Sequence, residues 1–388
     1  MSALKRIGII LIVGTVLALI SSSFLVVPIS KRAIIVGMGI DYVDNQYVVM
    51  CEVLSAESSS DTPGTSTTIV ISGVGETITD ALEDIHVKTG QLPSLGQCCV
   101  VLLGESIYKY QQMNLPLSLF THSVAFKDNT VIACFDGNAC QAISATTAVT
   151  PSPSFALSQL IQGSQQRTSI PKSTLIKFIS KQHDNPSMSG YLSVVTFTPD
   201  QQINDDKTKH TQGYFDCKSI AVFTDYMYAG TVSGDEYHGF GLVTDKTFHS
   251  YIVNDEQGGS VFPPKASVGI FTKRLNKDVE WQGQSITFTI KCNLRIDRTN
   301  TDETGKLFKF INKSTLPIDN SVLVNTRDRV TEQINKTYQF SQQLKCDYLE
   351  ISNMLYQKYG SEWLDYVINH PNSVFEDVTL DVQVEVTR

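Results

Sequence analysis

The chain has 388 residues, which is long enough for two or three domains with apolar cores. It carries 31 lysine and arginine residues against 39 aspartate and glutamate residues, a formal net charge of -8. Residues 1–32 hold four basic residues and no acidic ones, so the remaining chain has 27 basic and 39 acidic residues, a net charge of -12. This acidity argues against nucleic acid and anionic lipid as main ligands. A hydrophobic fraction of 41% excludes a largely disordered chain.

The chain begins with a candidate membrane segment. Residues 7–29 carry no formal charge and are flanked on both sides by basic pairs. As a helix this run would span roughly 34 Å, which is enough for a hydrocarbon core of about 30 Å. Ser21 and Ser23 are spaced like a signal-peptide cleavage site, whereas the apolar residues 24–27 continue the run past it. We favour an uncleaved anchor over residues 1–32, with an extracytoplasmic body, and leave a cleaved signal as the alternative.

The first part of the body alternates between predicted strands and helices. Two apolar runs, residues 33–41 and 46–53, are separated by Asp44 and Asn45, a pair typical of a tight hairpin turn. Further predicted strands are residues 68–71, 100–103 and 130–135, and further predicted helices are residues 105–111 and 138–145. This alternation predicts a mixed α/β domain.

Another helix is predicted to begin just after Gly75. Thr77 and Asp80 have the spacing of a capping box, in which each side chain bonds the other residue's backbone N–H. The apolar residues expected on one face of this helix are Ile78, Leu82 and Ile85.

Two polar stretches suggest how the chain is divided. Residues 199–213 read as a linker between an N-terminal α/β domain, residues 33–198, and a C-terminal domain, residues 214–388. Residues 146–172 are rich in Ser, Thr, Gln and Pro and mark a possible subdomain break, although residues 154–161 could form a short helix there.

The C-terminal domain has the clearest periodicities. Residues 286–297 and 378–387 alternate between apolar and polar side chains, as strands with one buried face do. Between them, residues 325–360 show helical spacing and end at Gly360, a typical helix stop. We therefore predict an α+β fold in which small mixed α/β domains follow the N-terminal membrane anchor. The C-terminal domain is expected to be a largely antiparallel sheet covered by a long helix.

The sequence lacks a recognisable catalytic constellation. The Gly37–Gly39 segment lacks the third glycine and the following helix of a dinucleotide-binding loop, and no Walker loop, nucleophile elbow or zinc-protease motif is present. His238 lies near Asp235 and Glu236 and could help bind a cation, but an exposed polar turn is the simpler interpretation. We predict no catalytic, cofactor-binding or metal-ligating residues, no cofactor and no enzymatic activity.

The eight cysteines fit buried thiols better than a disulfide framework. There is no C-x-x-C motif, and no histidine stands at zinc-site spacing from any of them. The cysteines that lie within apolar, strand-like stretches are Cys51, Cys98, Cys99, Cys134 and Cys292. Buried thiols of this kind pack as small apolar side chains.

Several ordered motifs resemble the Ger(x)C family, the C subunits of bacterial spore germinant receptors. The segment KRAIIVGMGIDY at residues 31–42 is similar to the family's opening, GETITDA at residues 75–81 to its first helix start, and VVLLGES at residues 100–106 to its next strand. Residues 219–223 and KCDY at residues 345–348 are similar to parts of its C-terminal domain. The residues that carry the resemblance most closely are Gly37, Gly39, Asp41, Gly75, Thr77, Asp347 and Trp363.

This resemblance implies a non-enzymatic extracytoplasmic subunit on the outer face of the spore inner membrane. Its expected partners are the integral-membrane A- and B-type receptor subunits, and its expected role is in nutrient-triggered germination. Family members are usually lipoproteins, but no cysteine precedes Cys51 here, so we expect no lipidation and an anchor segment in its place. The chain also departs from the family at Gly96-Gln97 and around Lys127. The alternative is an exported sensor or solute-binding module unrelated to germination.

Overall fold

A computed structural model describes most of the body of the protein. The described residues are 14–15, 31–54, 68–110, 113–122, 126–147, 150–163, 171–199, 212–244, 249–255, 265–300 and 320–387. The predicted anchor over residues 1–32 therefore lies almost wholly outside them, and its insertion in a membrane stays a prediction. Among the described residues, no helix is both long and apolar enough to cross a membrane.

The N-terminal part alternates between strands and helices. Its strands are β1 (Arg32–Val43), β2 (Gln46–Leu54), β3 (Thr68–Gly75), β4 (Leu92–Ser94), β5 (Val100–Leu103), β6 (Val131–Phe135), β7 (Thr146–Thr147), β8 (Ser189–Pro199), β9 (Gln212–Thr224) and β10 (Met227–Ser233). Its helices are α1 (Ile78–Thr89), α2 (Glu105–Tyr108), α3 (Asn114–His122), α4 (Ala139–Ile143), α5 (Pro153–Gly163) and α6 (Leu175–Asp184). The predicted mixed α/β character is confirmed, although α2 and α4 are shorter than predicted.

These strands form one sheet in the order β10-β9-β8-β6-β5-β1-β2-β3, with β4 beside β1 and β7 beside β9. The central pairs β1–β5, β5–β6 and β6–β8 are parallel, and the pairs at both ends are antiparallel. Alternate residues of β5 join different cores: Val101 belongs to the same core as Ile85 of α1, and Val100 belongs to the same core as Leu157 of α5. Helices thus cover both faces, which explains why β5 and β6 are apolar throughout.

Local signals in this part form as predicted. Strands β1 and β2 pair as a hairpin in which Asp44 and Asn45 have φ angles of 51° and 63°, as a type I′ turn requires. In the capping box, the Thr77 hydroxyl accepts from the Asp80 N–H at 3.1 Å, and the Asp80 carboxylate accepts from the Thr77 N–H at 3.1 Å. The predicted apolar face of α1 is buried against the sheet.

The sheet continues across the predicted linker. Strands β8 and β9 lie on either side of it and pair with each other, with Thr198 opposite Tyr214, while residues 200–211 lie outside the described ranges. Strands β9 and β10 therefore complete the first sheet before the chain enters the second. The division at residues 199–213 stays a prediction. The possible break at residues 146–172 contains α5, which includes the short helix considered at residues 154–161.

The C-terminal part forms a second, four-stranded sheet in the order β11-β12-β13-β14. Its elements are α7 (Gly234–Thr244), β11 (His249–Asp255), β12 (Lys265–Gln282), β13 (Ser285–Asn300), α8 (Asn320–Leu344), α9 (Ile351–Tyr359), α10 (Ser361–Asn369), α11 (Ser373–Glu376) and β14 (Val378–Thr387). The pairs are antiparallel except β13–β14, which is parallel. The apolar side of β13, from Ile286 to Ile296, is buried, as its alternation predicts. The α+β architecture is confirmed.

The predicted single helix over residues 325–360 is wrong. The structure has two helices there, α8 and α9, separated by residues 345–350. Lys345 and Glu350 have φ angles of 49° and 65°, a left-handed conformation that an α-helix cannot contain. The apolar spacing continues across the break because both helices pack against the same core. The predicted stop at Gly360 is confirmed, since α9 ends there with a φ of 63°.

Candidate functional site

Asp41 anchors a helix to the first strand. Its carboxylate is buried and accepts hydrogen bonds from the N–H groups of Ala139 at 3.2 Å and Cys140 at 2.8 Å, the first residues of α4. A carboxylate at a helix N-terminus satisfies orphan N–H groups and favours the helix dipole. The signature aspartate is therefore occupied by an internal contact, which is a scaffold role.

Glycines beside Asp41 make this close approach possible. A Cβ on Gly39 would lie 2.6 Å from the carbonyl oxygen of Ala139, so only glycine lets α4 rest on β1. A Cβ on Gly104 would lie 1.7 Å from Oδ1 of Asp41. Gly37 and Gly75 lie in similarly close contact with α5 and α1.

We predict that the effects of Asp41→Ala and Gly104→Ala on stability are not additive. Asp41→Ala should cost about 3 kcal/mol, because two helix N–H groups lose their acceptor. Gly104→Ala should cost a similar amount by displacing the same carboxylate, but little once that carboxylate is gone. Urea unfolding of the four proteins should therefore give a coupling energy of about 2 kcal/mol or more.

The capping residue Thr77 provides the control for this cycle. Thr77→Ala should cost about 1 kcal/mol and add simply to Asp41→Ala, since the capping box has no shared partner with Asp41. Additive costs for Asp41→Ala and Gly104→Ala would contradict the role given to Asp41.

A second buried carboxylate, Glu52 on β2, was not predicted from the sequence. It is fully buried, its Oε2 accepts from the N–H of Ser154 at the start of α5 at 3.0 Å, and its Oε1 has no partner among the described residues. Glu52 faces Gly37 in the β1–β2 ladder. An acid within the apolar run of residues 46–53 was the available signal, because charged residues are seldom fully buried without a partner.

Asp347 and Trp363 meet at the start of α9. The buried Asp347 carboxylate accepts from the N–H groups of Ile351 at 2.9 Å and Ser352 at 2.8 Å. The Ser352 hydroxyl in turn accepts from Nε1 of Trp363 at 3.0 Å. Burial raises the pKa of Asp347 to about 7, although the two backbone donors oppose this shift. The N–H of Asp347 also donates to Ser189 of β8, so this turn joins the second part of the chain to the first.

The segment around His238 is not the predicted exposed turn, since residues from Gly234 onward form helix α7. The Asp235 carboxylate forms ion pairs with two cations of α8, Arg329 and Lys336, each at 2.8 Å. Burial lowers the pKa of His238, against the raising effect of Asp235. Helix α8 comes much later in the chain, so the residues around His238 could not reveal that it packs on this segment.

The cysteines and metal-ligating residues show no site within the described ranges. The eight cysteines are free thiols, and all but Cys99 are buried. Burial raises the pKa of Cys51 to about 12, which keeps this thiol protonated. In the described part of the chain, no group of three or more His, Cys, Asp or Glu residues is placed to hold a metal ion.

A pocket of about 320 Å³ lies where the two parts of the chain meet, and we name it the junction pocket. Its lining residues are Lys172, Ser173, Lys177, Phe178, Lys181, Tyr191, Thr244, Lys277 and Glu350. The ammonium of Lys181 lies 2.5 Å from the Glu350 carboxylate and 3.9 Å from the centre of the Tyr191 ring. Burial acts to lower the pKa of Lys181. Tyr191 and Glu350 together raise it by a larger amount, so the pKa of Lys181 lies above its usual value.

This pocket was not predicted from the sequence. Its one local signal was Lys177 and Lys181, two like charges four residues apart on α6, because such pairs destabilise a helix unless a neighbour compensates them. The other lining residues come from distant parts of the chain and meet only in the folded protein.

The fold therefore defines a two-part class of protein, in which a mixed α/β part is followed by an α+β part. In both parts the motif residues stabilise the scaffold. Two family models then match in order, the "Spore germination protein N-terminal domain" over residues 26–197 and "Spore germination B3/ GerAC like, C-terminal" over residues 218–387. The chain belongs to the Ger(x)C family, the C subunits of bacterial spore germinant receptors.

A solved structure shares the fold. The crystal structure of the GerBC protein superposes with a TM-score of 0.52 and 14% sequence identity, covering 91% of this chain and 97% of that chain. At this identity the likeness concerns the fold alone. A comparison with curated proteins found no match.

Proposed function

We propose that this protein is a non-enzymatic, membrane-tethered subunit of a spore germinant receptor. It acts from the outer face of the spore inner membrane, assembled with integral-membrane A- and B-type subunits, and is needed for nutrient-triggered germination. The observation that carries the proposal is the match of both family domains, in order, over residues 26–197 and 218–387.

The internal role of the signature residues supports an assembly function over catalysis. Asp41 and Asp347 each accept hydrogen bonds from N–H groups at the start of a helix. At the second of these helix starts, Trp363 donates a hydrogen bond to the Ser352 hydroxyl. Residues engaged in this way stabilise the fold, which leaves its outer surfaces for contact with partners. The uncharged run at residues 7–29 supports tethering, because a tether raises the effective concentration of membrane partners.

Deleting the gene is expected to abolish the response of spores to the nutrient that this receptor detects. The fall in optical density after nutrient addition measures the response. The full-length gene should restore it, and a version lacking residues 7–29 should not. A matched control replaces residues 7–29 with an unrelated membrane-spanning helix, which should restore germination because only the tether is required.

Pull-down of the full chain from detergent extracts provides a second readout, since the A- and B-type subunits should co-purify with it. Normal germination of the deletion strain, in the absence of a compensating paralogue, would overturn the proposal and favour the unrelated exported sensor or solute-binding module.

A further inference from the structure

The junction pocket is positively charged within an acidic protein. Four lysines line it against a single carboxylate, Glu350, whereas the whole chain has a formal net charge of -8. A cleft lined by one sign of charge focuses the field between its walls and concentrates ions of the opposite sign. The pocket therefore attracts anions, although the protein as a whole carries a net negative charge.

Its one carboxylate does not neutralise this charge. Glu350 is already paired with Lys181. Within the described part of the chain, neither Lys172 nor Lys177 has a carboxylate within ion-pair distance. Two lysine side chains thus face the cleft with their charges uncompensated, an arrangement that an anionic ligand would stabilise.

The size and walls of the pocket limit the ligand. Its volume of about 320 Å³ is at the small end of the range for small-molecule sites. Phe178 and Tyr191 add aromatic wall to the polar lining. Lysine ammonium groups act as point charges with freely rotating donors, which suits carboxylate and phosphate oxygens alike.

We propose that the junction pocket binds a small anion with two or more carboxylate or phosphate groups, held by Lys172 and Lys177. Elements of both parts of the chain line the pocket, with Lys177 on α6, Lys277 on β12 and Thr244 at the end of α7. A bound anion would therefore join the two parts. This inference goes beyond the role in germination and does not depend on it.

The test measures thermal unfolding of the full chain in detergent micelles with inorganic pyrophosphate or citrate, at ionic strength matched by sodium chloride. Either probe should raise the unfolding midpoint and saturate as a single site. The variant K172Q/K177Q, which keeps the Lys181–Glu350 pair, should bind the probe at least about tenfold more weakly.

The control variant K273Q/K291Q removes the same charge from two exposed lysines of the second sheet. It should keep the affinity within about twofold, because neither of these lysines lines the pocket. Equal shifts with sodium chloride alone, or equal losses in both double variants, would overturn the proposal.

A competition experiment distinguishes the sources of a phosphate ligand. Displacement of pyrophosphate by glycerol 1,3-bisphosphate, the headgroup of a lipid with two phosphates, would support the proposal with a headgroup as ligand. Binding of pyrophosphate or citrate that glycerol 1,3-bisphosphate does not displace would support it with a free anion as ligand.

Discussion

Replacing Gly39 with alanine is expected to lower the free energy of unfolding by about 3 kcal/mol or more. The added Cβ would lie 2.6 Å from the carbonyl oxygen and 2.8 Å from the carbonyl carbon of Ala139, both backbone atoms. Helix α4 cannot retreat freely, because Asp41 holds its first N–H groups. The variant must either strain the backbone or lose these hydrogen bonds, and chemical unfolding followed by circular dichroism measures the cost.

Val43→Ala is the matched control on the same strand. Val43 is the last residue of β1 and is 45% exposed, so its truncation should cost less than about 1 kcal/mol. If Gly39→Ala proved as mild as Val43→Ala, close packing of α4 on β1 could not be the reason for this glycine.

Asp347 is expected to make the protein less stable as the pH rises from about 4 to about 7. Burial raises its pKa from 3.8 to about 7, so the folded state binds more protons than the unfolded state within this window. The contribution of Asp347 to stability is therefore fully present at pH values below its pKa in the unfolded state. It is lost as the pH rises through its pKa in the folded state. A shift of about three pH units corresponds to about 4 kcal/mol.

The experiment compares urea unfolding of the protein and of Asp347→Asn at several pH values between 4 and 8. The variant removes the titration, so the stability of the protein relative to the variant should fall as the pH rises from about 4 to about 7.

Asp278→Asn serves as the control, because its hydrogen bond with Lys358 lowers the pKa of Asp278 and the group is already ionised across this range. Parallel pH profiles for the protein and Asp347→Asn would rule out the effect assigned to Asp347.

Features that depend on neighbouring residues were predictable from the sequence. The turn at Asp44 and Asn45 forms because these residue types tolerate positive φ angles. The capping box at Thr77 and the alternating strand from Ile286 to Ile296 likewise depend on short-range spacing. The family motifs could be recognised from residue order alone, but not the contacts that those residues make.

The break between α8 and α9 shows where local reasoning fails. Spacings of three and four continue across residues 345–350, since Tyr348, Ile351 and Leu355 all enter one core. What ends α8 is a turn stabilised from elsewhere: the thiol of Cys346 lies 3.5 Å from the Phe223 carbonyl oxygen, and Ser189 accepts from the Asp347 N–H. Both partners are more than 100 residues away in the chain, so no pattern within the segment could reveal them.

The sequence by itself determined the family, the α+β class, the hairpin and the amphipathic strands, because residue order and short-range periodicity carry that information. Only the tertiary structure decided that the signature carboxylates hold helix starts, that Glu52 does the same, and that lysines gather in the junction pocket. Lys172 and Lys277 are about a hundred residues apart in the chain, and only the folded protein brings them to one cavity. The physical reason is that burial and electrostatic contact depend on distances in space, which the spacing of residues along the chain does not specify.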